Sequence, residues 1–177
     1  MNKQQLAEEL FSARYAHSQL TQSHVQQGVV FNDIVQLILG VNNTNSSNTS
    51  KVMAAINQSL QLRRYYQQLL NEHQFAASQL QVAASTSTDY ADRINQQFSL
   101  KFKRDKFSPN QVYVVLQIEH PAAHHHSRVI SLHAVTDETA TLVHFPMLDG
   151  GQSQLLMDDS NATFELLVSP NAQLILL

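Results

Sequence analysis

The sequence predicts an α+β fold, with helices in the first half of the chain and antiparallel strands in the second, and three observations predict it. Residues 111–177 alternate apolar and polar side chains in about six short runs separated by turn signals, the period-two pattern of strands with one buried face. Residues 3–27 and 51–84 instead repeat apolar residues at spacings of four and three, the seam of an amphipathic helix. No helix-length segment interrupts the strand runs, so neighbouring strands are expected to pair antiparallel as one meandering sheet that could curl into a small barrel or roll.

In chain order, 3–27 contains no proline or glycine, and its seam is Leu6, Leu10, Ala13, His17, Leu20 and His24. Gly28 interrupts. Residues 29–39 are apolar on most sides through Ile34, Val35, Leu37 and Ile38, which predicts a short central helix stopped by Gly40. The run 41–50 is almost all Asn, Ser and Thr, a loop whose Thr49 or Ser50 would cap the next helix. That helix is expected over 51–84, with the stripe Ala55, Ser59, Leu62, Tyr66, Leu69, His73, Ala76 and Leu80. Two seams predict a helical hairpin or bundle, or a surface that meets its own copy. After a break at 85–88, a further short helix is expected over 89–98, with Tyr90, Ile94 and Phe98 on one face.

Residues 101–107 hold four of the eleven Lys and Arg, interleaved with Phe102 and Phe107. The chain therefore divides into a helical oligomerisation or interaction region at 1–100, a basic-aromatic linker at 101–110 and an antiparallel β domain at 111–177. The expected strands are 111–119, 128–135, 140–145, 153–157, 163–168 and 172–177. In the first of them Val112, Val114, Leu116 and Ile118 share a face. Between strands, 120–126 reads as a loop and 136–139, 158–161 and 169–171 as turns. Asp149-Gly150-Gly151 is the strongest hairpin signal.

With 177 residues, 43 % hydrophobic, the chain is long enough to bury a real core. Charged residues make up only 14 %, and Gln, Asn, Ser and Thr carry the polar surface. A formal net charge of −3 gives no global attraction to nucleic acid or anionic lipid. The absence of cysteine excludes disulfides, thiolate zinc sites and cysteine nucleophiles. The first residues lack a secretory apolar core, and no run approaches the roughly 20 apolar residues of a membrane span. A cytoplasmic chain without a membrane partner is expected.

Three residue groups carry candidate chemistry. His120, His124, His125 and His126, with His133 or His144 nearby, could gather imidazoles around zinc or nickel; the plainer reading is an exposed turn. His17, His24 and His73 share the helical seams and could charge together near pH 6. Lys101, Phe102, Lys103, Arg104 and Lys106 pair cations with aromatics, as single-stranded nucleic acid requires, although a linker whose phenylalanines pack down explains them equally. Asp149-Gly150-Gly151 lacks the hydroxyl residue of an aspartic peptidase loop, and Asp158-Asp159 has too few companions for a calcium site. No glycine-rich phosphate loop or nucleophile elbow occurs. The expectation is a non-enzymatic interaction or assembly protein that self-associates through its helices and presents a β-sheet binding face, with no cofactor required. A nucleic-acid-associated protein is the alternative, and a small metal-dependent or aspartyl hydrolase the third.

Overall fold

The computed structural model describes residues 29, 31–39, 46–73, 76–78, 82–83, 90–121 and 129–177. Among these, the helices are α1 (Phe31–Ile38), α2 (Ser46–Gln58), α3 (Leu60–His73) and α4 (Ala162–Val168). The strands are β1 (Ala76–Ser78), β2 (Val82–Ala83), β3 (Asp92–Ile94), β4 (Phe98–Arg104), β5 (Gln111–Ile118), β6 (Ile130–Val135), β7 (Ala140–Phe145), β8 (Gln152–Asp158) and β9 (Gln173–Leu176). The class is α+β, as the patterning predicts, but the strands form two antiparallel sheets, ordered β1-β9-β6-β7 and β2-β3-β4-β5-β8.

The two sheets face one another across a single core. Val112, Val114, Leu116 and Ile118 of β5 and Phe98, Leu100 and Phe102 of β4 meet Leu132, Ala134, Val143, Phe145, Leu174 and Leu176 from the other sheet. The strict alternation along β5 is what lets one face fill this space while the other faces outward. The opposite face of the four-stranded sheet is also covered. Val135, Ala140 and Ile175 pack under Ile34, Leu37, Val52, Ile56, Leu62, Tyr66 and Leu70 of α1, α2 and α3. The described residues thus stack as helices, four-stranded sheet and five-stranded sheet.

Several elements differ from the sequence reading. The 51–84 helix breaks at Ser59 and ends at His73. Ser59 Oγ accepts from the Leu62 N–H at 3.3 Å, capping α3, and Arg63 donates to the Ile56 and Asn57 carbonyls at 3.2 and 2.9 Å, closing α2. Beyond His73, β1 pairs with β9 in the register Ala77↔Ile175, so the unpaired edge of β9 overrides the local helical propensity. Helix α2 starts at Ser46, so Thr49 and Ser50 lie inside it. The expected helix over 89–98 is the β3–β4 hairpin. Asn95 Oδ1 accepts from the N–H groups of Gln97 at 2.8 Å and Phe98 at 2.7 Å and bends the chain there. The expected linker begins with β4, a strand in the middle of its sheet.

The strand expected over 163–168 is α4. Asn161 caps it by accepting from Thr163 N at 2.8 Å, and Phe164 and Leu167, one turn apart, enter the core. The Gly150-Gly151 turn forms, with φ of 56° and 83° and reciprocal bonds between Asp149 and Gln152. It lies between β7 and β8 without pairing them, because β8 crosses to the other sheet and pairs with β5. The meander is therefore broken twice, between β5 and β6 and again after β7. The seam over 3–27 lies outside the described residues.

Arg93 on β3 holds α4 in place. Fully buried, it donates to the Leu167, Ser169 and Ala172 carbonyls at 3.4, 2.5 and 2.7 Å. These carbonyls lie at the helix C-terminus and beyond it, where a cation is favoured. Burial lowers the Arg93 pKa from its ordinary value. Arg93→Lys keeps charge and length but loses the planar fork. Urea denaturation is expected to show a loss of about 2–4 kcal/mol, and a loss below about 0.5 kcal/mol would contradict the role of Arg93 as the tie between β3 and α4.

Candidate functional site

The five-stranded sheet turns one face away from the core, and that face has no layer over it among the described residues. Its residues follow from register: Lys103 lies opposite Tyr113, which lies opposite Leu156; Lys101 lies opposite Val115, which lies opposite Gln154. Directly opposed residues share a face. The surface is thus a band of Tyr113, Val115 and Leu156 flanked by two lysines and by Gln117, Gln152 and Gln154. Leu156 is 47 % exposed, and Met147, in the loop leading into β8, is 58 % exposed. Between that loop and β8 lies a hollow of about 370 Å³ lined by Val115, Pro146, Met147, Asp149, Gln152 and Gln154.

The basic-aromatic residues are divided by the alternation of β4. Phe102 is buried, with its ring edge-on to Phe164 at 5.7 Å, and is not available to stack on a base. Arg104 is committed: its guanidinium lies 2.8 Å from Asp159 and 5.4 Å from the centre of the Tyr90 ring, and it donates to the Pro109 carbonyl. Lys103 and Lys106 are exposed and Lys101 is half-buried. Phe107 does not pack down; it is 93 % exposed at the β4–β5 turn. The aromatics beside free lysines are therefore Tyr113 and Phe107. Sequence reading missed Tyr113 because it treated β5 by its buried face.

Of the histidine loop, His120 is described and exposed, whereas His124, His125 and His126 lie outside the described residues. Among the described residues no three His, Asp or Glu side chains gather as a metal site. His17 and His24 also lie outside them, and His73 is exposed at the end of α3. Among the described residues, the buried histidine is His133 on β6. Its Nδ1 makes a short hydrogen bond to the Tyr66 hydroxyl of α3, and its Nε2 is buried without a partner. Burial, then the nearby His144, pushes the His133 pKa down from 6.5 to about 3, and burial pushes the Tyr66 phenol up. The pair links the helical layer to the sheet as two neutral groups. A tyrosine on the helical stripe was legible; its partner on a strand 67 residues later was not.

The acidic candidates are structural. Asp158 accepts from the N–H and hydroxyl of Ser160, which lowers its pKa, and Asp159 pairs with Arg104. A second groove, about 610 Å³, runs between α3, the β6–β7 turn and α4 beside Asp137, Glu138 and Glu165, three carboxylates that do not gather about one point. Comparison with known protein families, with curated proteins and with solved structures finds no match.

The Tyr66–His133 pair sets a pH dependence. Its folded pKa lies below the unfolded value, so the unfolded chain binds the proton first as pH falls. The associated stability is whole above about pH 6.5 and is lost towards pH 3, by at most about 1.4 kcal/mol per pH unit. Urea titrations between about pH 7 and about pH 4.5 are expected to show a shallower fall for Tyr66→Phe/His133→Leu than for the parent. Parallel curves would show that His133 is not held neutral against α3.

Proposed function

We propose that the protein is a non-enzymatic interaction or assembly module that associates with further copies of itself through the open side of its five-stranded sheet. The observation that carries this reading is the difference in cover between the two sheets. One has apolar residues buried on both faces, while the other turns Tyr113, Val115 and Leu156 outward, beside the exposed Met147 of the loop before β8. A contiguous apolar band rimmed by polar residues favours association. The conspicuous reactive side chains support the same reading: Arg104, Asp158, Asp159 and His133 each engage structural partners.

The route of association differs from the helical one that the seams suggest. Ala55, Leu62, Tyr66 and Leu69 of the second stripe are buried within the chain, against α1 and the sheet. They are not free to meet a copy. The first seam, Leu6 to His24, lies outside the described residues and remains a second contributor in this proposal.

One observation favours a nucleic-acid reading as the alternative: Lys101, Lys103 and Lys106 stand near the outward-facing Tyr113 and the exposed Phe107. Cations beside free rings suit single strands. Its affinity should fall steeply with salt.

Light scattering from low to high micromolar concentration is expected to show a mass rising above the 19.9 kDa of one chain. A chain that stays monomeric throughout, while binding a single-stranded oligonucleotide at low salt, would replace the first reading with the second.

A further inference from the structure

Strand β8 ends the five-stranded sheet, and the direction of its backbone groups follows from two bonds. Ile118 N donates to Gly151 O at 2.9 Å, and Asp159 N donates to Asn110 O at 2.8 Å. Antiparallel ladders alternate hydrogen-bonded and non-hydrogen-bonded pairs. In this register Ser153, Leu155 and Met157 therefore turn their N–H and C=O groups to β5, and Gln152, Gln154, Leu156 and Asp158 turn theirs outward. The two ends of this edge are occupied: Gln152 exchanges bonds with Asp149, and the Asp158 carbonyl accepts from Asn161 N. Among the described residues, Gln154 and Leu156 keep both backbone groups unpaired.

The usual protections of an edge are missing from this stretch. Gln154-Leu155-Leu156-Met157 contains no lysine, proline or glycine. One end of the outer edge of the other sheet is covered. On β7, the N–H and C=O of Ala140 are both taken by the Asn57 side chain, at 2.8 and 3.0 Å, which brings α2 against that edge.

We propose that β8 pairs with β8 of a second copy, antiparallel about a two-fold axis at Leu155, so that two five-stranded sheets become one continuous sheet. This rests on the self-association proposed above and places a contact at the edge that borders the open face, rather than on the face itself. Three features of the edge are complementary to themselves. First, the two residues with both groups unpaired lie symmetrically about Leu155, so Gln154 of each copy exchanges both bonds with Leu156 of the other. Second, each exposed Leu156 then stands on the outer face opposite Gln154 of the other copy, beside the hollow that Met147 and Val115 line. Third, the only charge on the strand, Asp158, falls opposite Gln152, so no like charges meet. Such a closed, isologous contact uses the same surface twice.

Because the chain has no cysteine, single cysteines report the register directly. Under mild oxidation at high micromolar concentration, Leu155→Cys is expected to form a covalent dimer, since only residue 155 faces itself across the axis. Gln154→Cys and Leu156→Cys are expected to remain largely uncrosslinked. Leu156→Pro removes an N–H that faces outward, so it leaves the β5–β8 ladder intact while weakening association by about tenfold or more. Circular dichroism of each variant checks that the sheet is kept. Association that persists with Leu156→Pro, or a crosslink at 154 or 156 in preference to 155, overturns the edge assignment while leaving self-association standing. A parent chain that is monomeric at every concentration overturns both.

Discussion

The structure depends on one sheet being covered on both sides. An inner strand of such a sheet has no solvent face, so each side chain must be apolar or must find a polar partner inside the molecule. β6 shows the consequence. Leu132 and Ala134 face the second sheet, Val135 faces the helices, and His133, which also faces the helices, meets the Tyr66 hydroxyl. A neutral imidazole and a neutral phenol satisfy each other in part where either alone would be costly. β9 obeys the same rule, with Leu174 and Leu176 on one side and Ile175 on the other.

Around that layer, several ties run from side chains to backbone groups that secondary structure leaves over. Asn57 takes both groups of Ala140 at the edge of β7, Arg63 closes α2 and reaches the Asp137 carbonyl at 2.9 Å, and Arg93 collects the carbonyls around the end of α4. None of these contacts pairs opposite charges. That is consistent with a chain only 14 % charged, whose polar residues are mainly amides and hydroxyls. The Gln67–Gln173–Asn71 chain, with bonds of 2.9 and 3.0 Å, ties α3 to β9 in the same way. Amide networks of this kind position elements without a long-range field.

What the sequence disclosed, and what it hid, has a physical pattern. β5 was plain because four alternate apolar residues need one buried face, and β6 and β7 for similar reasons. The helix over 60–73 was plain from its stripe. By contrast, 162–168 reads as a strand on alternation alone; its Asn161 cap and the one-turn spacing of Phe164 and Leu167 are short-range signals easily outweighed by composition. Residues 76–78 carry good helix formers, and only the waiting edge of β9 makes them a strand. The outer-face candidates were half legible. The lysines stood out as a charge cluster, but which ring stood beside them depended on pairing, which put Tyr113 outward and Phe102 inward. The unpaired groups of Gln154 and Leu156 could not be read at all, because they depend on which sheet β8 joins.

An open sheet stands beside a closed one in this molecule. Its outward side is ordered by register and lined by Tyr113, Leu156 and the lysines, while its inner side is filled. The most direct test of this layered arrangement is backbone amide hydrogen exchange at low micromolar concentration, residue by residue. The slowest amides are expected in β6 and β9, with those of Gln154 and Leu156 exchanging orders of magnitude faster. Amides in β6 and β9 that exchanged as fast as Gln154 and Leu156 would contradict a four-stranded sheet buried between the helices and the second sheet.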